Sequence, residues 1–313
     1  MEMPLSDPAA ADIPPAARRR PSRLGAVLAS GSVRLGGGVL ALLVLMAAAA
    51  PLLYTIDPLA IDPASGNLLP GAHGEFNSLA GDTFERLFLL GTDSLGRDIW
   101  SRVLFGARVS LALGAAVAVA AVALGTLAGV CAGYFRAADS IVMRTMDGLM
   151  AIPSILFAIT LVAVWGGTLG VVVVAIALPE IPRVARLVRS VVLTVREEAY
   201  VEAAVALDTP HWKILARHIL PNTLAPLIVQ GTYICASAIL IEAILSFLGV
   251  GLPADIPTWG NVMAEGRLQF NQFPHNVLVP GAFVAMTILA VNLLGDGLRD
   301  TLDPKFNRRD AAA

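Results

Sequence analysis

The chain has 313 residues, 56% of them apolar and only 15% charged, with a mean hydropathy of +0.73. This composition excludes an ordinary soluble domain and fits an integral membrane protein. The net charge of −2 carries little until the charges are placed along the chain, and nothing in it points to nucleic acid.

Residues 1–32 read as a disordered, basic N-terminus rich in Pro, Ala and Arg. The apolar run that follows is too long for the core of a cleavable signal peptide. Six apolar segments can be drawn, each near or above the roughly 20 residues that cross a bilayer as a helix. They are 33–56, 104–134, about 149–165, about 168–182, about 223–250 and about 277–295. Pro153, Pro179 and Pro226 lie in or near these spans, where neighbouring helices can satisfy the freed carbonyls. Between the first two spans, residues 57–103 form a long extracytoplasmic loop, of which about 60–90 yields no reading. Residues 104–297 read as a five-helix core interrupted by a polar loop at 190–222, and 298–313 as a tail. Cys131 and Cys235 fall inside apolar segments and read as small hydrophobes.

The basic residues group by side. All of Lys and Arg except Arg86, Arg97, Arg102, Arg108 and Arg267 fall on the side that carries both termini and the 190–222 loop. The positive-inside rule puts that side in the cytoplasm.

The polar loop is a helical hairpin by its own chemistry. Residues 195–207 are Ala-rich, with Glu197, Glu198 and Glu202, and favour a helix. Asp208-Thr209-Pro210 breaks it. Thr209 suits a helix N-cap and Pro210 the first position of a new, short helix that runs to about Leu220. Pro221-Asn222 ends that helix, and Asn222 can cap the next span.

The order Glu202-Ala203-Ala204, then Asp208, then Ile219-Leu220-Pro221, resembles the EAA loop of permease subunits of bacterial ABC importers. The family has Gly where this chain has Asp208; a left-handed residue is needed there, and Asp tolerates that conformation better than most. Three further stretches match the dipeptide, oligopeptide and nickel branch. They are Gly91-Thr92-Asp93-Ser94-Leu95-Gly96-Arg97-Asp98 with its continuation to Leu111, Leu245-Ser246-Phe247-Leu248-Gly249 with Trp259-Gly260-Asn261, and Leu294-Gly295-Asp296-Gly297-Leu298-Arg299-Asp300. The likeness is greatest to the second permease of the pair.

The resemblance implies an all-α integral membrane protein of six transmembrane helices with a cytoplasmic EAA-type helix-turn-helix loop, lying in the bacterial inner membrane with both termini cytoplasmic. It implies that Glu202, Ala203, Ala204, Asp208, Pro210, His211, Trp212, Lys213, Leu220 and Pro221 form the ATPase-coupling loop. It also implies the partners: membrane lipid, a second homologous permease, two cytoplasmic ATPase subunits or domains, and an extracytoplasmic substrate-binding protein. Short peptides are the leading cargo, with nickel, glutathione and related small solutes as alternatives. A self-sufficient secondary transporter or channel is the remote rival, and it predicts internal repeats that the chain lacks.

No catalytic or cofactor chemistry is expected. Neither lysine, Lys213 nor Lys305, completes a phosphate-binding loop, so ATP and Mg are expected on partner subunits. The four histidines show no zinc spacing. Two carboxylates in spans stand out. Glu242 reads as a structural hydrogen bond at the permease interface or as part of the substrate path. Glu180 reads as a partner of Arg183 or as the lining of a water-filled vestibule. Trp212 reads as a docking anchor or as packing against the first hairpin helix.

Overall fold

The computed structural model describes residues 29–302; most of the basic N-terminus and of the tail lies outside them. The fold is mainly helical. In chain order, α1 is Gly31–Ala48, β1 is Ala72–Asn77, β2 is Thr83–Phe88, α2 is Ile99–Tyr134 and α3 is Arg136–Met150. Then come α4 (Ser154–Trp165), α5 (Leu169–Ala177), α6 (Ile181–Val195), α7 (Ala199–Ala206) and α8 (His211–Ile214). The chain closes with α9 (Leu220–Phe247), α10 (Trp259–Gly266) and α11 (His275–Leu302).

Among the described residues, four helices are each long and apolar enough to cross a membrane: α1, α2, the helix continuous over His211–Phe247, and α11. The third expected span differs. Its apolar body is α4, only 12 residues long, and the polar helix before it, α3, meets α4 at 83°. Pro153 is the cause: it disfavours helical backbone at Ile152 and has no N–H to continue the ladder, so it stands as the N-cap of α4. α3 carries Asp139, Arg144 and Asp147 and buries no residue. It lies beside α6 through ion pairs, Arg189 gripping both oxygens of Asp139 at 2.6 Å and Arg186 meeting Asp147 at 2.6 Å. The fourth expected span is α5 running through a 3-10 turn at Pro179 into α6.

α2 is the spine. Its 36 residues extend about 54 Å, well beyond the bilayer core, which is about 30 Å thick. Its second half presents Gly125, Gly129 and Gly133 to Val184, Val188 and Val192 of α6. A Cβ at 129 would stand 2.5 Å from the Ala185 carbonyl oxygen. Small residues at a four-residue spacing thus let two helices touch backbone to side chain, the usual route to tight packing in lipid.

The loop 57–103 holds the one departure from an all-helical chain among the described residues. β1 and β2 form an antiparallel hairpin with Phe76 opposite Phe84 and Ala72 opposite Phe88. Phe76 and Phe88 are buried beneath it. Asp62 ties this cap together, accepting from the Asn77 amide at 3.1 Å and the Ala64 amide at 3.0 Å. Burial alone would raise its carboxyl, but the Ser65 hydroxyl and these N–H groups hold it below its ordinary value. α2 starts earlier than the apolar run suggests because Asp98 caps it, accepting from the Ser101 amide at 3.0 Å. α11 likewise runs past 297, to Leu302.

Candidate coupling loop and the cap at the opposite end

The loop between α6 and α9 sits at one end of α2, and the cap sits at the other. α6 stops at Val195, and Arg196 reaches across to donate to the Gly133 carbonyl at 3.1 Å. After a turn at Glu197-Glu198, α7 carries the Glu202-Ala203-Ala204 run. Asp208 has φ +54°, the left-handed conformation expected from the sequence. The Asp208 N–H donates to the Val205 carbonyl at 3.0 Å and the Thr209 N–H to the Ala204 carbonyl at 3.1 Å. These two bonds are the paired C-terminal closure that a left-handed residue permits.

Two boundary expectations need correction. Pro210, not Thr209, is the N-cap of α8, and no side chain caps it. The short helix does not stop at Pro221. One wide π turn, Leu215–Ile219, carries it into α9. Proline normally clashes with the carbonyl four residues earlier and leaves it unpaired. The wide turn re-spaces those carbonyls, and Asn222, expected as a cap, instead donates its side-chain amide to the His218 carbonyl at 2.6 Å.

The residues singled out from the sequence form one surface. Glu202, Ala203, Asp208, Pro210, His211, Trp212, Lys213 and Pro221 are exposed, while Ala204 and Leu220 are half-buried. Leu207 is 81% exposed and Trp212 70% exposed, so Trp212 does not pack against α7. Glu202 makes no ion pair among the described residues. Beneath this surface the loop is firmly held. Val201, Ile214 and Ile219 are buried in the core that contains Val188, Val192 and Val195. The Tyr134 hydroxyl lies 2.7 Å from His211 Nδ1, and Phe135 meets the same imidazole edge-on. Sequence reasoning missed this anchor. Its only signal is an aromatic pair at the end of a long apolar run.

The cap is joined by charge. Asp93 accepts from Arg97 Nε at 2.7 Å and from Arg102 Nη1 at 2.6 Å, and both arginines also pair with Glu265 of α10. Arg102 is fully buried. Arg86 pairs with Asp98 at 2.9 Å. Burial pushes the Asp98 carboxyl up from its ordinary value, against the Ser101 hydroxyl and Arg86. Trp259 is fully buried and its indole N–H donates to the Val103 carbonyl at 3.0 Å. Asn261 clamps the carbonyls of Leu252, Pro253 and Ile256.

The two carboxylates in spans have local explanations. Glu180 is buried and accepts from Arg183 Nη1 at 2.9 and 3.1 Å, one of the two readings the sequence left open. Glu242 is fully buried inside the chain, accepting from Ser246 Oγ at 2.9 Å, close to where Gly260 of α10 rests on Ser246. The structural hydrogen bond of Glu242 is made within this chain, and the residue stands on no exposed face.

Residues 121–308 match a family described as "binding-protein-dependent transport system inner membrane component". The chain belongs to this family. It is therefore a multi-pass permease subunit of an ABC transporter, with ATP hydrolysis carried by other subunits. It is 51% identical over 277 residues to a Sinorhizobium fredii protein named "Probable peptide ABC transporter permease protein", covering 88% of this chain and 90% of that one. It is 44% identical to a dipeptide transport system permease of Alkalihalophilus pseudofirmus, over 74% of this chain and 75% of that one. A glutathione transport system permease of Pectobacterium atrosepticum is 45% identical, over 69% of this chain and 72% of that one. A solved chain of the MetNI methionine ABC transporter, in inward-facing conformations, shares the fold at a TM-score of 0.52 and 16% identity, covering 64% of this chain and 96% of that one.

Proposed function

We propose that this permease is one of two homologous membrane subunits that together import short peptides, driven by two cytoplasmic ATPase subunits that bind ATP and Mg and fed by an extracytoplasmic binding protein. One observation carries the coupling part of this reading. The exposed surface of Glu202, Leu207 and Trp212 is attached to a single helix, His211–Phe247, that runs on into the membrane bundle. A push on α8 therefore acts on α9 without a hinge between them. An acidic residue beside large exposed apolar side chains suits a groove with a basic rim on a partner. Peptides are the cargo favoured by the names of the Sinorhizobium and Alkalihalophilus relatives, and the glutathione permease keeps a modified tripeptide as the second reading.

Six spans with both termini in the cytoplasm complete the proposal: α1, α2, α3–α4, α5–α6, α9 and α11. The five arginines on the opposite side support this orientation. Arg86, Arg97 and Arg102 are held by carboxylates, and Arg108 and Arg267 by backbone carbonyls, so they are bound into structure instead of standing as free charge. The test is Glu202→Lys in the whole transporter. Transport and cargo-stimulated ATP hydrolysis are expected to collapse while the permease pair still assembles at normal levels. Wild-type uptake by this variant contradicts the coupling role.

A further inference from the structure

Pro226, Gln230, Tyr233, Ser237 and Leu240 follow one another at spacings of four and three residues, so they share one side of α9. The other side of the helix packs on α2, where Gly114 closes on Ile239 and Gly231 touches Val122. The first side is open. Tyr233 is 38% exposed and Leu240 45%, and Gln230 and Ser237 are half-buried. The Tyr233 hydroxyl donates to Asp296 Oδ1 of α11 at 2.6 Å, and Asp296 is itself exposed. One turn earlier on α11, Asn292 holds a buried side-chain oxygen with no partner. An amide, two hydroxyls and a carboxylate thus lie on an open face where α9 meets α11.

Lipid suits this face poorly, because Gln230 and Ser237 lie well inside the 28-residue α9, where polar side chains need partners. A tight protein–protein contact fits poorly as well, since interface centres are depleted of charged residues. A peptide in water fits both halves. Gln, Tyr and Ser each donate and accept, so they can follow a peptide backbone whatever its side chains. The carboxylate matches the one cation that every free short peptide carries, its terminal ammonium.

We propose that Gln230, Tyr233 and Ser237 line the water-filled passage and that Asp296, held by Tyr233, receives the N-terminal ammonium of a passing peptide. The inference rests on the proposed import of peptides. It assigns the passage wall to α9 and α11, and not to Glu242.

The complete transporter, with both permeases, its ATPases and its binding protein, is reconstituted after Cys131→Ser and Cys235→Ala. Single cysteines at Gln230→Cys and Ser237→Cys are then exposed to a charged, membrane-impermeant thiol reagent, with and without saturating dialanine and ATP. Both positions are expected to react, and dialanine is expected to slow the reaction several-fold. Asp296→Asn is expected to lower dialanine import about tenfold at saturating binding protein, the scale of one charge-assisted bond, while Asp296→Glu retains most of it. No reaction in any nucleotide state means the partner permease covers the face, and reaction only with a bilayer-soluble maleimide means lipid does; either overturns the inference. So does labelling that dialanine leaves unchanged. A wild-type transporter that imports no peptide overturns the cargo reading first and this inference with it.

Discussion

The two ends of the α2 spine are held together by opposite means. At the cap, Asp93, Arg97, Arg102 and Glu265 form a buried, charge-neutral cluster that binds the loop before α2 to α10. At the coupling loop, the buried anchors are the apolar Val201, Ile214 and Ile219, helped by the Tyr134–His211 hydrogen bond, and Glu202 and Lys213 face outward. A buried ion cluster tolerates few alternative geometries, because any shift leaves a desolvated charge unpaired. Apolar contacts are not directional and can slide. The contrast suits a rigid platform for a docking protein at one end and a part that is moved by a motor at the other.

The contrast can be broken most sharply at Arg102. Arg102→Met leaves Asp93 and Glu265 short of a partner in a buried site and should cost about 3–5 kcal/mol. The complex should then fail to accumulate or melt far below wild type in a thermal assay. Normal melting would mean that water or Arg97 replaces the lost charge and that the cap is not held by this cluster. The same kind of change at the other end should behave differently. Leu207→Ser with Trp212→Ser removes large exposed side chains, so permease stability should change by no more than about 0.5 kcal/mol per site. Affinity for the ATPase, read by co-purification or titration, should fall at least tenfold if these are buried anchors. Loss of permease stability with unchanged ATPase affinity would reverse the assignment.

The smallest effect sharpens the geometry of the loop. Asp208→Gly should be neutral or stabilise by up to about 1 kcal/mol, because Gly adopts φ +54° without a Cβ penalty. Asp208→Val should destabilise the loop and reduce coupling, because a β-branched residue is strained there. Equal tolerance of both would mean that α7 closes in another way.

How much was legible divides along the same line. The left-handed turn at Asp208 and the exposed set from Glu202 to Lys213 were readable because they depend on neighbours in sequence. The partner of Glu180 was readable for the same reason, lying three residues away. The cap hairpin was not. Its strands pair Glu75 with Glu85 and His73 with Leu87, a pattern with no clean alternation, and its stability comes from Phe76 and Phe88 beneath. The continuation through Pro221 was missed because proline ordinarily stops a helix; only the wide turn at Leu215–Ile219 removes the clash. Glu242 drew attention as a charge in a span, yet its neighbours Ser246 and Gly260 come together only in three dimensions. The Gly125, Gly129 and Gly133 spacing was present in the sequence all along, and marks the tightest helix contact of the spine.

The central claim is that the loop carrying Trp212 lies in the cytoplasm and is covered by the ATPase. Leu79, 74% exposed at the cap, serves as the outward control. With Cys131→Ser and Cys235→Ala in place, Trp212→Cys and Leu79→Cys are each treated with an impermeant thiol reagent. The account predicts labelling at 79 but not at 212 in intact cells. In inverted vesicles stripped of ATPase it predicts labelling at 212, which disappears when the ATPase is added back. Labelling of position 212 from outside sealed cells would contradict the topology and the coupling mechanism together.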